Sequence, residues 1–551
     1  MSCAHTLSKG LHVRKRTPLI LGLAAVMAGA TAMPATADSN FLYMEPASSG
    51  VTLKALATAG DNFGGFQWQG VPDGIGVLRD GENLTVFINH ELSATNAVAA
   101  ATPRANGAAT SSTVSALNLD TNAKAITAGR DLLTSVSFYN YATGQYGTTP
   151  GAPAGAAAKD EFGTPLHTKA LNRFCSSHMA QPGDLSYTMT DANGKKVIYG
   201  FTGPAYFTGE EGGDESRAFT LDTNGNLNQL PKLGLAAWEN FLVAPSKGLR
   251  TVIMGNEDGA ATDSQLYMYV GEKTREGHWT DKAGLTNGQN YVMAVTGIAT
   301  DNAFRAGVAK GTPAQVTFKP IDTTVNGKSQ NAQARALGTV MARVEDGAFD
   351  PKNANDYYFV TTESNKDPKA TAPNPATPKI TRDGGALWRL RFSDVADPMA
   401  GATLTMLLDG SEAPYLNKPD NIDVDDKGNV LIQEDPGNND HIARMVAYRI
   451  SDGKIGTVAK FVDRYFAPGG AGFMTKDEES SGVTDVTKFL KTSDTDANSY
   501  FIFDAQVHAP TAVARPDLAG DKAATAALAT AIEGGQLYLM TISDWSTVYG
   551  S

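Results

Sequence analysis

The sequence predicts an all-β fold, a β-propeller of about six blades with inserted loops and short helices. Three observations predict it. Short apolar runs with a period of two recur along the chain, each closed by a cluster of Asp, Asn and Gly. They return as imperfect repeats about 45 residues apart, the spacing of a four-stranded blade. Long helical patterns do not interrupt them, and the Ala-rich stretch 523–532 is the best helix candidate. A stacked pair of β-sandwiches is the alternative architecture.

The first 37 residues form their own unit. Lys9, Arg14, Lys15 and Arg16 precede an apolar stretch, 18–27, and then small residues leading to Ala35-Thr36-Ala37. That order is an export signal with its cleavage site. The apolar stretch is well short of the ~20 residues that a membrane span needs. The domain plan is therefore a signal peptide, 1–37, followed by one propeller domain, 38–551. The mature protein is expected to begin near Asp38, outside the cytoplasm, in the periplasm or the medium, as a monomer without a membrane span. Removing the leader's four basic residues from the chain's 46 leaves 42 against 58 acidic ones, a net charge of −16. Such a charge excludes a general nucleic-acid-binding surface.

Strand, turn and strand follow one another from there. Residues 115–122, 219–226 and 422–429 read as hairpins, and 387–392 and 445–453 repeat the pattern. Two Gly/Pro/Ala-rich stretches, 146–160 and 365–378, read as exposed insertions rather than linkers.

Carboxylates sit repeatedly at strand ends. Asn89-His90-Glu91 follows a strand at 84–88, and Glu210-Glu211 follows a strand at 197–207. Glu239, Glu257-Asp258, Glu345, Glu363, Asp420, Glu434-Asp435 and Glu478-Glu479 continue the series. In a propeller, strand ends of successive blades converge on a central channel, so these groups can meet. Converging carboxylates require cations, and hard oxygen donors suit calcium. Export removes Cys3 with the leader and leaves Cys175 as the single cysteine. Its setting, Asn172-Arg173-Phe174-Cys175-Ser176-Ser177-His178, is polar and does not read as a strand, which favours a functional thiol in an oxidising compartment. The chain carries no Cys-x-x-Cys pair, phosphate-cradling glycine loop or Gly-x-Ser-x-Gly elbow.

In this order the motifs resemble the PhoX-type bacterial alkaline phosphatases. These motifs are Asn-His-Glu, a Cys, Gly-Glu-Glu, a lone Glu, Arg-x-Glu, Asp-Asn, Glu-Asp, Glu-Ser-Ser-Gly and Gln-x-His, from Asn89 to His508. The resemblance implies an exported propeller that hydrolyses phosphate monoesters with two Fe³⁺ and up to three Ca²⁺ ions. By similarity, Cys175 is the thiolate ligand to iron, with Glu239 and Glu345 as carboxylate ligands. Arg343 points its guanidinium at the phosphoryl oxygens, and Asn89 contacts phosphate. Glu210 or Glu211, Asp420, Glu434, Asp435 and Glu479 are the calcium ligands it implies. Two alternatives use the same fold: a calcium-dependent lactonase or organophosphate hydrolase, and a non-enzymatic calcium-binding propeller. Cys175 and Arg343-x-Glu345 speak against the first, and the second would leave iron absent.

Overall fold

The computed structural model describes residues 41–95, 111–160, 163–245, 247–260, 262–363, 384–437, 440–528 and 531–550. The expected export leader, 1–37, and the expected insertion at 365–378 lie outside the described residues. Six strands, one per blade, lie side by side around a channel and close into a ring. They are β1 (Pro72–Asp80), β2 (Phe174–Ala180), β3 (Trp238–Val243), β4 (Val344–Phe349), β5 (Pro419–Val424) and β6 (Glu478–Asp485). From each, an antiparallel sheet runs outward. Blade 1 continues through Asn83–His90, Thr113–Asp120 and Ala125–Asp131, and the others repeat the plan.

Blades 2 to 6 carry additions, fusions or borrowed strands, in blade 5 the short strand Met44–Pro46 paired with Ile455–Phe461. Ser135–Asn140 joins blade 2 by parallel pairing with Asn226–Gln229. Ala314–Ile321 pairs with the outer strands of both blade 3 and blade 4 and fuses them into one nine-stranded sheet. Blade 6 supplies three strands from its own stretch of chain and takes its fourth, Val51–Thr58, from the N-terminal side, paired with Glu533–Ile542. That pairing closes the ring.

The core is divided along the seams. Among the described residues, six large apolar clusters each lie between two neighbouring blades. Trp238 and Phe241 pack with Phe207 between blades 2 and 3, and Trp388 and Phe359 with Met254 between blades 3 and 4. At about 25 cal/mol per Å² of buried apolar surface, the seams rather than the polar channel hold the blades together.

Three local expectations are corrected. The strand expected at 197–207 is broken by Gly203-Pro204 into Lys196–Gly200 and Ala205–Glu210, since proline removes a ladder donor. The polar segment around Cys175 is a strand, β2, because a channel-lining strand can bury polar side chains against one another. The helix in the Ala-rich stretch is only Lys522–Ala527. Among the described residues the longest helix, Gly327–Leu337, starts where the Asn326 side chain accepts from the Ser329 amide.

Candidate metal centre

Register gives each blade the same two positions at one mouth of the channel. The second residue of each inner strand is Asp73, Cys175, Glu239, Glu345, Asp420 and Glu479 in blades 1 to 6. On the adjacent strand, the residue just past the partner of the inner strand's first residue is Glu91, Glu211, Asp258, Thr362, Asp435 and His508. Backbone bonds confirm the equivalence. The amides of Glu91, Glu211, Thr362, Asp435 and His508 donate to the carbonyls of Val71, Arg173, Arg343, Lys418 and Asp477 at 3.0–3.1 Å. In the first five blades the ladder is irregular right at the second residue of the inner strand. Bulges of this kind re-aim a side chain, here towards the axis.

The result is a continuous chain of donors. Asp73, Glu91 and Cys175 form one trio, and Cys175, Glu211 and Glu239 a second. Glu239, Glu345 and Asp420 form a third, and Asp420, Asp435 and Glu479 a fourth, with the ligand atoms of each trio within 4.8 Å of one another. All six inner strands contribute. Burial, reinforced by the neighbouring carboxylates, pushes Asp73, Glu211, Glu239, Glu345, Asp420 and Glu479 well above the ordinary carboxylate range. The Cys175 thiol is pushed up for the same reasons. Both oxygens of Asp73 are buried without a hydrogen-bond partner. Groups so placed are ionised only if cations neutralise them. The donor set fits metal ions: oxygen-only trios suit a hard cation such as calcium, and the two trios that share a thiolate suit a transition metal that accepts sulfur and oxygen donors together.

Cations of the protein border the ring. Arg343 donates from Nε and Nη2 to both oxygens of Asp258 (2.8 and 2.6 Å), with Glu345 3.3 Å away. Arg173 donates to Glu211 at 3.1 and 2.7 Å and also pairs with Glu91. Although burial opposes it, the bond to Glu533 raises His508 to about 9. The residues that enter inner strands 1, 2, 4 and 5 are all left-handed: Val71, Arg173, Arg343 and Lys418 have φ of 51°, 45°, 60° and 47°. Such conformations in non-glycine residues cost roughly 1–3 kcal/mol each and cluster at functional sites.

Seven expected ligands meet in the ring: Cys175, Glu211, Glu239, Glu345, Asp420, Asp435 and Glu479. Three expected residues do not. Glu210 faces away and is held by Arg217 in a two-pronged pair and by the Asn172 amide. Glu434 is held in the same way by Arg444 and the Asn417 amide, with His441 added. Arg444 and His441 outweigh the cost of burial and bring Glu434 down to about 2. Asn89 is buried behind Cys175, where its amide donates to the carbonyls of Cys175 (2.7 Å) and Ser176 (3.1 Å), and its oxygen accepts from Tyr206. It props the bulge that carries the thiol and does not reach the mouth. Asp73 and Glu91 join the ring in addition to the expected ligands. Glu91 stood in the motif that supplied Asn89, whereas Gly70-Val71-Pro72-Asp73-Gly74 reads as an ordinary turn.

Residues 176–494 match a family model described as Alkaline phosphatase PhoX. The match contains the ring from Glu211 to Glu479 and begins one residue after Cys175. Among solved structures, Pseudomonas fluorescens PhoX in complex with vanadate, a transition state analogue, aligns over 91% of this chain and 96% of its own at 13% identity, with a TM-score of 0.55. An α-L-arabinanase of Penicillium chrysogenum complexed with arabinobiose aligns over 86% and 94% at 8% identity and a TM-score of 0.37. A gluconolactonase of Xanthomonas campestris aligns over 90% and 93% at 10% identity and a TM-score of 0.29. No curated protein matches the chain. At 13% identity the likeness to the Pseudomonas protein concerns the fold alone.

Proposed function

The chain belongs to the PhoX alkaline phosphatase family of metal-dependent phosphate-monoester hydrolases, and we propose that its ring of donors is the metal centre of that reaction. The observation that carries this reading is the convergence of all six inner strands on four linked trios. In it, Cys175 with Asp73, Glu91, Glu211 and Glu239 holds iron, two Fe³⁺ in all, and the oxygen trios around Glu345, Asp420, Asp435 and Glu479 hold up to three Ca²⁺. Bound cations supply Lewis acidity to the phosphoryl group and reverse the negative field of the channel mouth.

The chain's own residues do the rest. Asn89 fixes the bulge that aims the Cys175 sulfur. Arg343, half-buried at the rim, turns its fork to the phosphoryl oxygens and strengthens its hold as charge builds on them. Asp258 takes the Nε and Nη2 edge and orients the guanidinium before substrate arrives, which leaves the remaining Nη1 and Nη2 protons for the phosphoryl oxygens. The leader 1–37 sends the propeller, 38–551, out of the cytoplasm to the periplasm or medium, where it acts as a monomer. Among the described residues, no helix is long and apolar enough to cross a membrane.

Elemental analysis of the purified protein tests this reading, and iron and calcium are expected together. Arg343→Lys keeps the charge and loses the fork, so metal content should stay normal while phosphomonoesterase activity falls roughly 10²–10³-fold. Full activity in that variant would remove Arg343 from its role. A protein that contains calcium but no iron would remove Cys175 from its own.

A further inference from the structure

Three of the four left-handed residues at the mouth are basic: Arg173, Arg343 and Lys418, in blades 2, 4 and 5. Their carbonyls each accept an equivalent amide at 3.0 Å, so their side chains leave the ring from equivalent points. Each arginine reaches back to the preceding blade and binds the carboxylate found there. Arg173 takes Glu91 of blade 1, and Arg343 takes Asp258 of blade 3. For Lys418 the corresponding position in blade 4 is Thr362, which is neutral. Among the described residues Lys418 forms no ion pair. Its ammonium lies instead beside the turn after Asp435. A Cβ added to Gly437 would stand 3.1 Å from Lys418 Nζ and 3.9 Å from Asp435 Oδ2.

We propose that Lys418 is a second substrate-binding residue beside Arg343, whose ammonium takes a phosphoryl oxygen of the monoester on the Asp435 side of the ring. The inference rests on the phosphatase reading and deepens it. The blade architecture delivers three cations to one acidic mouth, and the chain answers two of them with its own carboxylates. The third is left for an anion from outside. A compact ammonium on a flexible stem suits that place, because it needs no fixed plane and can follow the phosphoryl group from ester to free phosphate.

The test compares native protein with Lys418→Ala and Lys418→Arg. Calorimetry with inorganic phosphate measures binding directly, kinetics with a nitrophenyl phosphate ester measure kcat and KM, and elemental analysis follows the metals. Lys418→Ala should weaken phosphate binding and raise KM about 10–100-fold, the loss of one charge-assisted hydrogen bond. Its metal content should be normal, and Lys418→Arg should recover most of the affinity. Unchanged phosphate affinity in Lys418→Ala would overturn the assignment. So would a parallel loss of metal, which would make Lys418 a support for the Asp435 turn. A native protein that binds phosphate through Lys418 yet hydrolyses no monoester would overturn the phosphatase reading alone.

Discussion

Glu210 and Glu211 are neighbours in the chain, and so are Glu434 and Asp435, yet each pair divides between two environments. Glu210 and Glu434 face into their blades, and the protein supplies everything they need: an arginine on both oxygens and a backbone amide. Glu211 and Asp435 face the channel, where Arg173 bonds one oxygen of Glu211 and carboxylates outnumber the protein's own cations. Both environments are dry. What differs is how far the chain supplies the compensating charge, on both oxygens for the first member of each pair and in part or not at all for the second. Blades 2 and 5 use the same device, with Asn172 and Asn417 in equivalent places, so the division belongs to the repeat and not to one loop.

The sharpest way to break the comparison is to remove a channel-facing carboxylate that serves two trios. Glu239 links the second and third. Glu239→Gln should release metal from both and lower phosphatase activity beyond the ~10²–10³-fold that loss of one preorganised donor produces. Retention of the full metal complement would show that the trios do not act together.

Removing an internal partner should act on stability instead. Arg444→Met strands Glu434, whose side chain is fully buried. Breaking a buried pair from one side costs about 3–5 kcal/mol. Denaturant unfolding should register that loss, while metal content and kcat of the folded protein stay unchanged. A matching fall in metal content would show that the inward pair supports the ring.

The third difference is one of sign. The Glu434 carboxyl sits below its ordinary value, at about 2. Its contribution of about 3 kcal/mol is present above pH 4.5 and is lost as pH falls towards 2. The channel carboxylates sit above their ordinary values in the protein without metal. Their contribution is present below pH 4 and is lost as pH rises. Chelator-treated protein should therefore melt several degrees lower at pH 8 than at pH 5, and added calcium should close the gap. Equal melting temperatures would mean that the ring does not repel itself.

Much of this was legible in the sequence, and the limit has a physical cause. Hairpins at 115–122, 219–226 and 422–429 announce themselves through period-two apolar residues and an Asp/Asn/Gly turn. Acidic strand ends point to a converging site, and Cys175 stands out as a lone thiol. Which member of Glu210-Glu211 faces the channel depends on the sense of the pleat, and two adjacent residues of one type carry no trace of it. Asp73 was hidden because Pro72 and Gly74 mark a turn, and only the closed ring brings that turn beside Cys175. Asn89 was assigned to substrate because a buried amide and an exposed one are spelled alike. The helix Gly327–Leu337 was missed because its mostly polar sequence offers no apolar stripe.

The strand that completes blade 6 also sets an order of events. Val51 pairs with Ile542, and closing a loop of that length costs about 5–6 kcal/mol of chain entropy. Nearly the whole polypeptide must therefore be present before the circle shuts. Until then Asp73 in blade 1 and Glu479 in blade 6 lie at the two ends of an open arc, and an ion that arrives early meets only a fragment of its cage. The cage is finished where the polypeptide finishes folding. The ions dissolved in that compartment, and not those the nascent chain passes on its way, determine what the cage contains.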